Sequence, residues 1–122
     1  MSQRHYNGET YQMQLDSHHR FVKDWDTKCI KMLHNSDAGE YTVLSTYGAA
    51  FDLKNGYSEI ALTSPLNAMV IYEIRKDAST TCAARPIMKN ADKLTKPYAS
   101  PAYSAHFNFS YGKFLLDAGY DT

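Results

Sequence analysis

The side chains best suited to chemistry in this sequence are acidic residues on a predicted β-hairpin. The hairpin turns at Asn55–Gly56, because Asn-Gly suits a two-residue loop in which both central residues accept positive φ. That loop sets Asp52 directly opposite Glu59. If the next connection closes Ser64 onto Ala68, a third strand brings Glu73 beside Glu59 and three carboxylates form a row, whereas a connection one residue longer breaks the row. Such a row is an arrangement that acid–base chemistry or a divalent cation uses.

The same register places further polar side chains at one end of the row. Lys54 faces Tyr57 across the turn, and Tyr57 faces Arg75 on the third strand. The two cations could offset the repulsion between like charges that lie directly opposite each other. The alternative is a solvated face without a function, and we expect the Asp52–Glu59 pair to be solvated rather than catalytic. The sequence therefore predicts a candidate binding surface here, with no catalytic residue, no metal ligand and no cofactor.

Tyrosines supply the second candidate surface. The chain has ten tyrosines against five phenylalanines and one tryptophan. Tyrosine combines a large apolar ring with a polar tip, which suits recognition surfaces as well as half-buried cores. Tyr98 and Tyr103 lie in a segment stiffened by Pro97 and Pro101. We expect these two tyrosines to contact a protein partner; the alternative for either one is a connection that packs on the core.

Two adjacent histidines invite a metal interpretation that their spacing argues against. His18 and His19 fall in a segment predicted to be helical, where adjacent side chains diverge by about 100° around the axis. Two ligands on one helix face need a separation of three or four residues. We therefore interpret both as solvated residues of a first helical turn. His106, on the less apolar and half-exposed side of a predicted strand, is the histidine that the carboxylate row could use.

The elements that would position these residues form an α+β fold. Four segments outside the hairpin have the composition or alternation of strands: residues 10–15, 40–47, 68–76 and 106–111. Together with the hairpin they predict a mainly antiparallel sheet of five or six strands. One amphipathic helix over about residues 16–34 packs on one face of the sheet. Pro86 suits the first position of a possible short second helix over about residues 86–95.

The connecting segments are less regular. Residues 77–85 predict a polar loop, and residues 113–120 predict an edge strand or a turn of helix. The alternation of strands with crossover helices that a parallel sheet needs is missing. These features favour α+β over a doubly wound fold.

Length and charge limit the class of protein. A chain of 122 residues predicts a single globular domain over residues 1–122. Its 13 basic and 13 acidic residues cancel, which removes the field that drives non-specific binding to nucleic acid. No segment approaches the ~20 apolar residues of a membrane span, and the polar amino terminus lacks the apolar core of a signal peptide. With two cysteines in no paired motif, we expect a cytoplasmic protein, of the source cell or of an infected host, with reduced thiols.

Three functions fit these observations. The leading hypothesis is a small non-enzymatic binding protein that occupies a surface of a larger protein partner, such as a virus-encoded inhibitor of host machinery. The second is a small enzyme or small-ligand-binding protein that uses the carboxylates of the hairpin. The third is a subunit of a homo-oligomeric assembly, which neutral charge and open strand edges would permit.

Overall fold

The computed structural model of the chain describes residues 5–48, 66–88 and 94–118. They divide into two compact units. The first contains the described residues up to Ser45, together with Thr95–Pro97 and the segment from Ala105 onwards. The second contains the described residues between Thr46 and Leu94, together with Tyr98–Ser104. The single domain expected from the chain length stays a prediction.

A three-stranded antiparallel sheet organises the first unit. Its strands are β1 (Tyr11–Leu15), β2 (Val43–Ser45) and β5 (Phe107–Tyr111), in the spatial order β1-β5-β2. The period-two patterns that predicted β1 and β5 are confirmed. Strand β2 is shorter than the predicted segment 40–47, because Gly39–Tyr41 forms a 3₁₀ turn before it.

The main helix, α1 (Trp25–His34), begins nine residues later than predicted. Asp24 adopts a left-handed conformation, with φ at 57°, directly before the helix. At the other end of the connecting segment, the backbone N–H of Asp16 donates to the carbonyl of His106 at 2.9 Å. This bond extends the β1–β5 ladder by one step, so Asp16 continues the strand instead of beginning the predicted helix.

The core of the first unit lies between α1 and one face of the sheet. Leu33 of α1, Leu44 of β2 and Phe109 of β5 form the buried cluster. Tyr11 of β1 stacks on Phe109, with the ring centroids 5.6 Å apart. Cys29, half-buried, packs against the same cluster. The predicted packing of the amphipathic helix on one face of the sheet is therefore confirmed.

The opposite face of β5 is polar and buried, whereas the alternation in the sequence predicted that it would be half exposed. Asn108 is 1% exposed and Ser110 is 0% exposed. The side-chain amide of Gln12 donates to Asn108 Oδ1 at 3.0 Å and to Ser110 Oγ at 2.7 Å. Asn108 in turn donates to Gln14 Oε1 at 3.3 Å. Cross-strand hydrogen bonds allow this polar row to be buried.

The second unit contains an antiparallel pair of strands, β3 (Leu66–Ile74) and β4 (Thr80–Met88). The predicted polar loop 77–85 and the start of the predicted helix at residue 86 are wrong, since β4 covers residues 80–88. Asp77 accepts hydrogen bonds from the Ser79 N–H and hydroxyl at 3.0 and 2.7 Å, which closes a tight turn. Thr80 and Thr81, both β-branched, then favour a strand.

Apolar side chains of β3 lie at the surface of the second unit. Ile71, Tyr72 and Ile74 are exposed, and β4 is the partner of β3 within the described residues. Residues 94 and 95, at the end of the predicted second helix, are not helical. Residues 89–93 of that helix, and the whole Asn55–Gly56 hairpin, lie outside the described residues.

A short helix, α2 (Phe114–Asp117), follows β5, which resolves the predicted choice between an edge strand and a helical turn. The α+β class with antiparallel sheets is confirmed, with five strands in two sheets among the described residues. No helix in the described part of the chain is long and apolar enough to cross a membrane.

Candidate metal centre

Three side chains with metal-binding groups meet where β1 ends and β5 begins. They are Asp16, His18 and His106, and one ligand atom from each lies within 4.8 Å of the others. The strand register brings them together, because Leu15 at the end of β1 pairs with Phe107 at the start of β5. The residue after β1 is then the neighbour of the residue before β5.

The Asp16 carboxylate is oriented by the main chain that follows it. Its Oδ1 accepts a hydrogen bond of 2.6 Å from the Ser17 N–H. Its Oδ2 faces the histidines, at 3.6 Å from His18 Nδ1 and 3.9 Å from His106 Nε2. One oxygen of the carboxylate is thus held by the backbone while the other faces both imidazoles.

The two histidines approach each other closely. His18 Nε2 lies 3.4 Å from His106 Nε2. Two atoms bound to one cation are about 3.0 Å apart in octahedral Mg²⁺-type geometry and about 3.4 Å apart in tetrahedral Zn²⁺-type geometry. The imidazole separation fits the tetrahedral distance, and the 3.9 Å separation between Asp16 and His106 exceeds it by half an ångström. The 3.6 Å contact of Asp16 involves the other nitrogen of His18, Nδ1, and a single ion binds one nitrogen of an imidazole. One ligand atom from each of the three side chains lies within 4.8 Å of the others, so binding of one ion requires these side chains to move closer together.

The electrostatics favour the deprotonated forms that metal ligands need. The Ser17 N–H holds the pKa of the Asp16 carboxyl below its usual value; desolvation opposes this effect, and the nearby His18 supports it. Burial lowers the pKa of His106, and the neighbouring charges of His19 and His18 lower it further, against the opposing effect of Asp16. Because a metal competes with protons for these atoms, the lowered pKa of His106 favours metal binding at neutral pH, where the Asp16 carboxyl is ionised with or without its shift.

The site is open on one side. Asp16 and His18 are exposed, whereas the side chain of His106 is 12% exposed. The less exposed His106 at the base and the two exposed side chains at the rim would leave room for a further molecule to reach a bound ion. Catalytic metal sites keep such open positions, whereas structural sites are closed by protein ligands.

Helical spacing does not separate the two adjacent histidines, because α1 begins only at Trp25. His18 and His19 lie in the segment between β1 and α1, where no helical periodicity separates their side chains. His106 precedes β5 and is more buried than its predicted half-exposed position. The signal in the sequence was an Asp-x-His directly after one strand and a histidine directly before another. That pattern indicates a common site only once the two strands are known to pair antiparallel.

The residues predicted to form a site are placed elsewhere or are not described. Asp52, Lys54, Tyr57 and Glu59 lie outside the described residues, so the carboxylate row stays a prediction. Glu73 is exposed and pairs with Thr81 of β4. The N–H of Arg75 donates to the Ser79 carbonyl at 2.9 Å, at the turn between β3 and β4.

The tyrosine surface stays a prediction as well. Tyr98 and Tyr103 are both exposed, and both belong to the second unit. Exposure is what a contact surface requires, but it does not identify a partner.

Comparison with known protein families gives a match that covers the chain from end to end. The family model described as "Glycosyltransferase (GlcNAc)" matches residues 1–122. No curated protein and no solved structure matches the chain. A match over the full length is sufficient to assign a family: the chain belongs to the glycosyltransferase (GlcNAc) family.

Proposed function

We propose that Asp16, His18 and His106 bind a divalent cation, and that the chain acts in the transfer of N-acetylglucosamine from a donor with a diphosphate leaving group. The convergence of these three side chains at the β1–β5 end carries the proposal. The family supplies the reaction class, since its name denotes transfer of this sugar.

The chemistry of glycosyl transfer explains why a cation would be needed. The bond between the anomeric carbon and a phosphate oxygen breaks, a new bond forms from that carbon to the acceptor, and the acceptor gives up a proton. Negative charge therefore accumulates on the departing diphosphate. A bound divalent cation would stabilise that charge as a Lewis acid. Asp16, His18 and His106 would hold the cation, and the exposed rim formed by Asp16 and His18 would admit the diphosphate.

The donor set narrows the choice of cation. Two imidazoles and one carboxylate suit transition-metal dications such as Mn²⁺ or Zn²⁺ better than Ca²⁺, which takes six to eight oxygen ligands. The same ligand types also form the open site of non-haem Fe(II) oxygenases. The family match favours the transferase over an oxygenase.

Family membership does not support the non-enzymatic inhibitor that the sequence suggested first. It is closer to the second hypothesis, a small enzyme or small-ligand-binding protein, but the hairpin carboxylates Asp52 and Glu59 that this hypothesis used lie outside the described residues. Tyr98 and Tyr103 remain a proposed protein-contact surface, and for a transferase one such partner would be an acceptor protein.

Titration of the purified chain with Mn²⁺, followed by calorimetry or by electron paramagnetic resonance, tests the metal site. We expect saturable binding of one ion, and a weakening of at least ~10-fold when Asp16→Asn or His106→Gln removes a ligand. His34→Gln is the matched control, because His34 lies at the exposed end of α1 and outside the three-residue cluster. A nucleoside diphosphate N-acetylglucosamine should then bind more tightly with Mn²⁺ than without it.

Two results would contradict the proposal. Absence of saturable binding of Mn²⁺, Co²⁺ and Zn²⁺ to the folded chain would remove the metal site. Metal binding that is equally strong in the Asp16→Asn and His106→Gln variants would place the ion elsewhere.

A further inference from the structure

His19 lies beside the metal-binding cluster without belonging to it. Its Nδ1 is 2.9 Å from the backbone carbonyl oxygen of Asp16. Since a carbonyl can only accept a hydrogen bond, Nδ1 must carry the proton and donate it. The ring therefore closes the turn from Asp16 to His19 with a side-chain to main-chain hydrogen bond.

This bond completes the main-chain anchoring of the ligand residue Asp16. The Asp16 N–H donates to the carbonyl of His106 on one side of the residue. The Asp16 carbonyl accepts from His19 on the other side. Both backbone groups of the residue that carries the carboxylate are thus fixed, one by the neighbouring strand and one by His19.

The His19 ring also packs against the buried ligand. Its centroid is 4.5 Å from that of His106, and it lies 6.2 Å from those of both Phe21 and Phe107. In this aromatic setting its Nε2 is buried, with no hydrogen-bond partner among the described residues. A buried imidazole nitrogen of this kind costs free energy that a phenylalanine would not. Packing alone would therefore favour a phenylalanine at this position, and the Nδ1–H donor is the property that a histidine adds.

We propose that His19 is a positioning residue for the metal centre. Its Nδ1–H fixes the backbone of Asp16 and so holds the Asp16 carboxylate and the His18 imidazole against His106. Its ring supports the His106 imidazole from the side. This inference rests on the proposed metal site, and it assigns to His19 a role that acts through the three ligands.

Two substitutions separate the donor from the ring. Asparagine places its amide N–H where the histidine Nδ1–H lies, so His19→Asn keeps the donor and loses the ring. His19→Phe keeps an aromatic ring and loses the donor. We expect Mn²⁺ affinity to fall at least ~10-fold in His19→Phe, the effect typical of lost outer-shell partners. His19→Asn should recover most of that affinity, and both variants should be compared at equal fractions of folded protein.

A measurement on the metal-free chain tests the inference independently of metal binding. Nitrogen chemical shifts of the His19 side chain at pH 8 report which ring nitrogen carries the proton, and we expect Nδ1. The Nε2–H tautomer would overturn the hydrogen bond, and with it the inference, even if the wild type binds Mn²⁺ tightly. If the tautomer is Nδ1–H but the wild type binds no metal, the proposed function fails, and the role assigned to His19 fails with it.

The affinities of the variants decide the remaining cases. Unchanged Mn²⁺ affinity in both His19→Phe and His19→Asn would overturn the positioning role. Equal losses in both would also overturn it, because the donor kept in His19→Asn would then restore no affinity, and the group lost in both variants would be Nε2 acting as a further ligand.

Discussion

Replacement of Asn108 tests the sheet that holds the metal-binding cluster in register. Asn108 lies on β5, pairs with Gln14 of β1 and with Ser45 of β2, and is 1% exposed. Its amide accepts a hydrogen bond from Gln12 and donates one to Gln14. The change Asn108→Ala removes both bonds from the central strand while leaving the backbone ladder in place.

The magnitude follows from these contacts. Each lost hydrogen bond contributes a net ~0.5–1.5 kcal/mol, so the two together contribute about 1–3 kcal/mol. Truncation also leaves a small cavity, which adds about 1 kcal/mol. The Gln12 amide limits the loss, because it keeps its bond of 2.7 Å to Ser110 Oγ. We expect Asn108→Ala to lower the free energy of unfolding by about 2–4 kcal/mol.

Urea denaturation followed by circular dichroism measures this loss, and a second variant reveals its origin. Asn108→Asp introduces a carboxyl at a buried position, where desolvation raises its folded-state pKa above the unfolded value. The resulting destabilisation is absent below the unfolded-state pKa and grows as pH rises through the folded-state pKa. The difference between Asn108→Asp and wild type should therefore be larger at pH 7 than at pH 4. A loss below ~0.5 kcal/mol for Asn108→Ala, or no pH dependence for Asn108→Asp, would refute a buried polar row.

Two further predictions concern the same unit. Burial raises the pKa of the Cys29 thiol, and the nearby charge of Asp26 raises it further. In a variant that lacks the other cysteine, Cys82→Ala, Cys29 should therefore react with iodoacetamide at pH 8 several-fold more slowly in the folded chain than in urea. Equal rates would contradict its half-buried position. A β-carbon on Gly112 would overlap the Glu9 carbonyl oxygen and lie 2.9 Å from Tyr6, so Gly112→Ala should lower the free energy of unfolding by ~1–3 kcal/mol in urea denaturation. An unchanged midpoint would mean that the backbones of residues 9 and 112 are not in close contact.

Sequence patterns correctly predicted the strands and the helix face whose apolar residues pack into the core of the first unit. Strands β1 and β5 and the apolar face of α1 follow from alternation and helical spacing, because each packs on the cluster of Leu33, Leu44 and Phe109. The predicted start of the helix was wrong. Phe21 and Val22 continue the helical spacing of apolar residues before Trp25, but the pairing of Asp16 with the β5 side of the sheet and the left-handed backbone of Asp24 prevent a helix there. Strand β4 was missed because its pairing with β3 decides its structure, and a proline inside it is normally a sign against a strand.

The metal-binding cluster could not be predicted from the sequence, although the two strands beside it could. His18 and His106 are separated by 88 residues, and neither has a local signature. Both flanking strands were predictable, but their pairing was not, since a strand pattern specifies which residues face the core and leaves the partner strand open. Once Leu15 pairs with Phe107, the position of Asp16 beside His106 follows without further assumption. Chemistry at the ends of paired strands is therefore set by register, and a one-residue slip of β1 against β5 would move the Asp16 carboxylate to the other face and abolish the cluster.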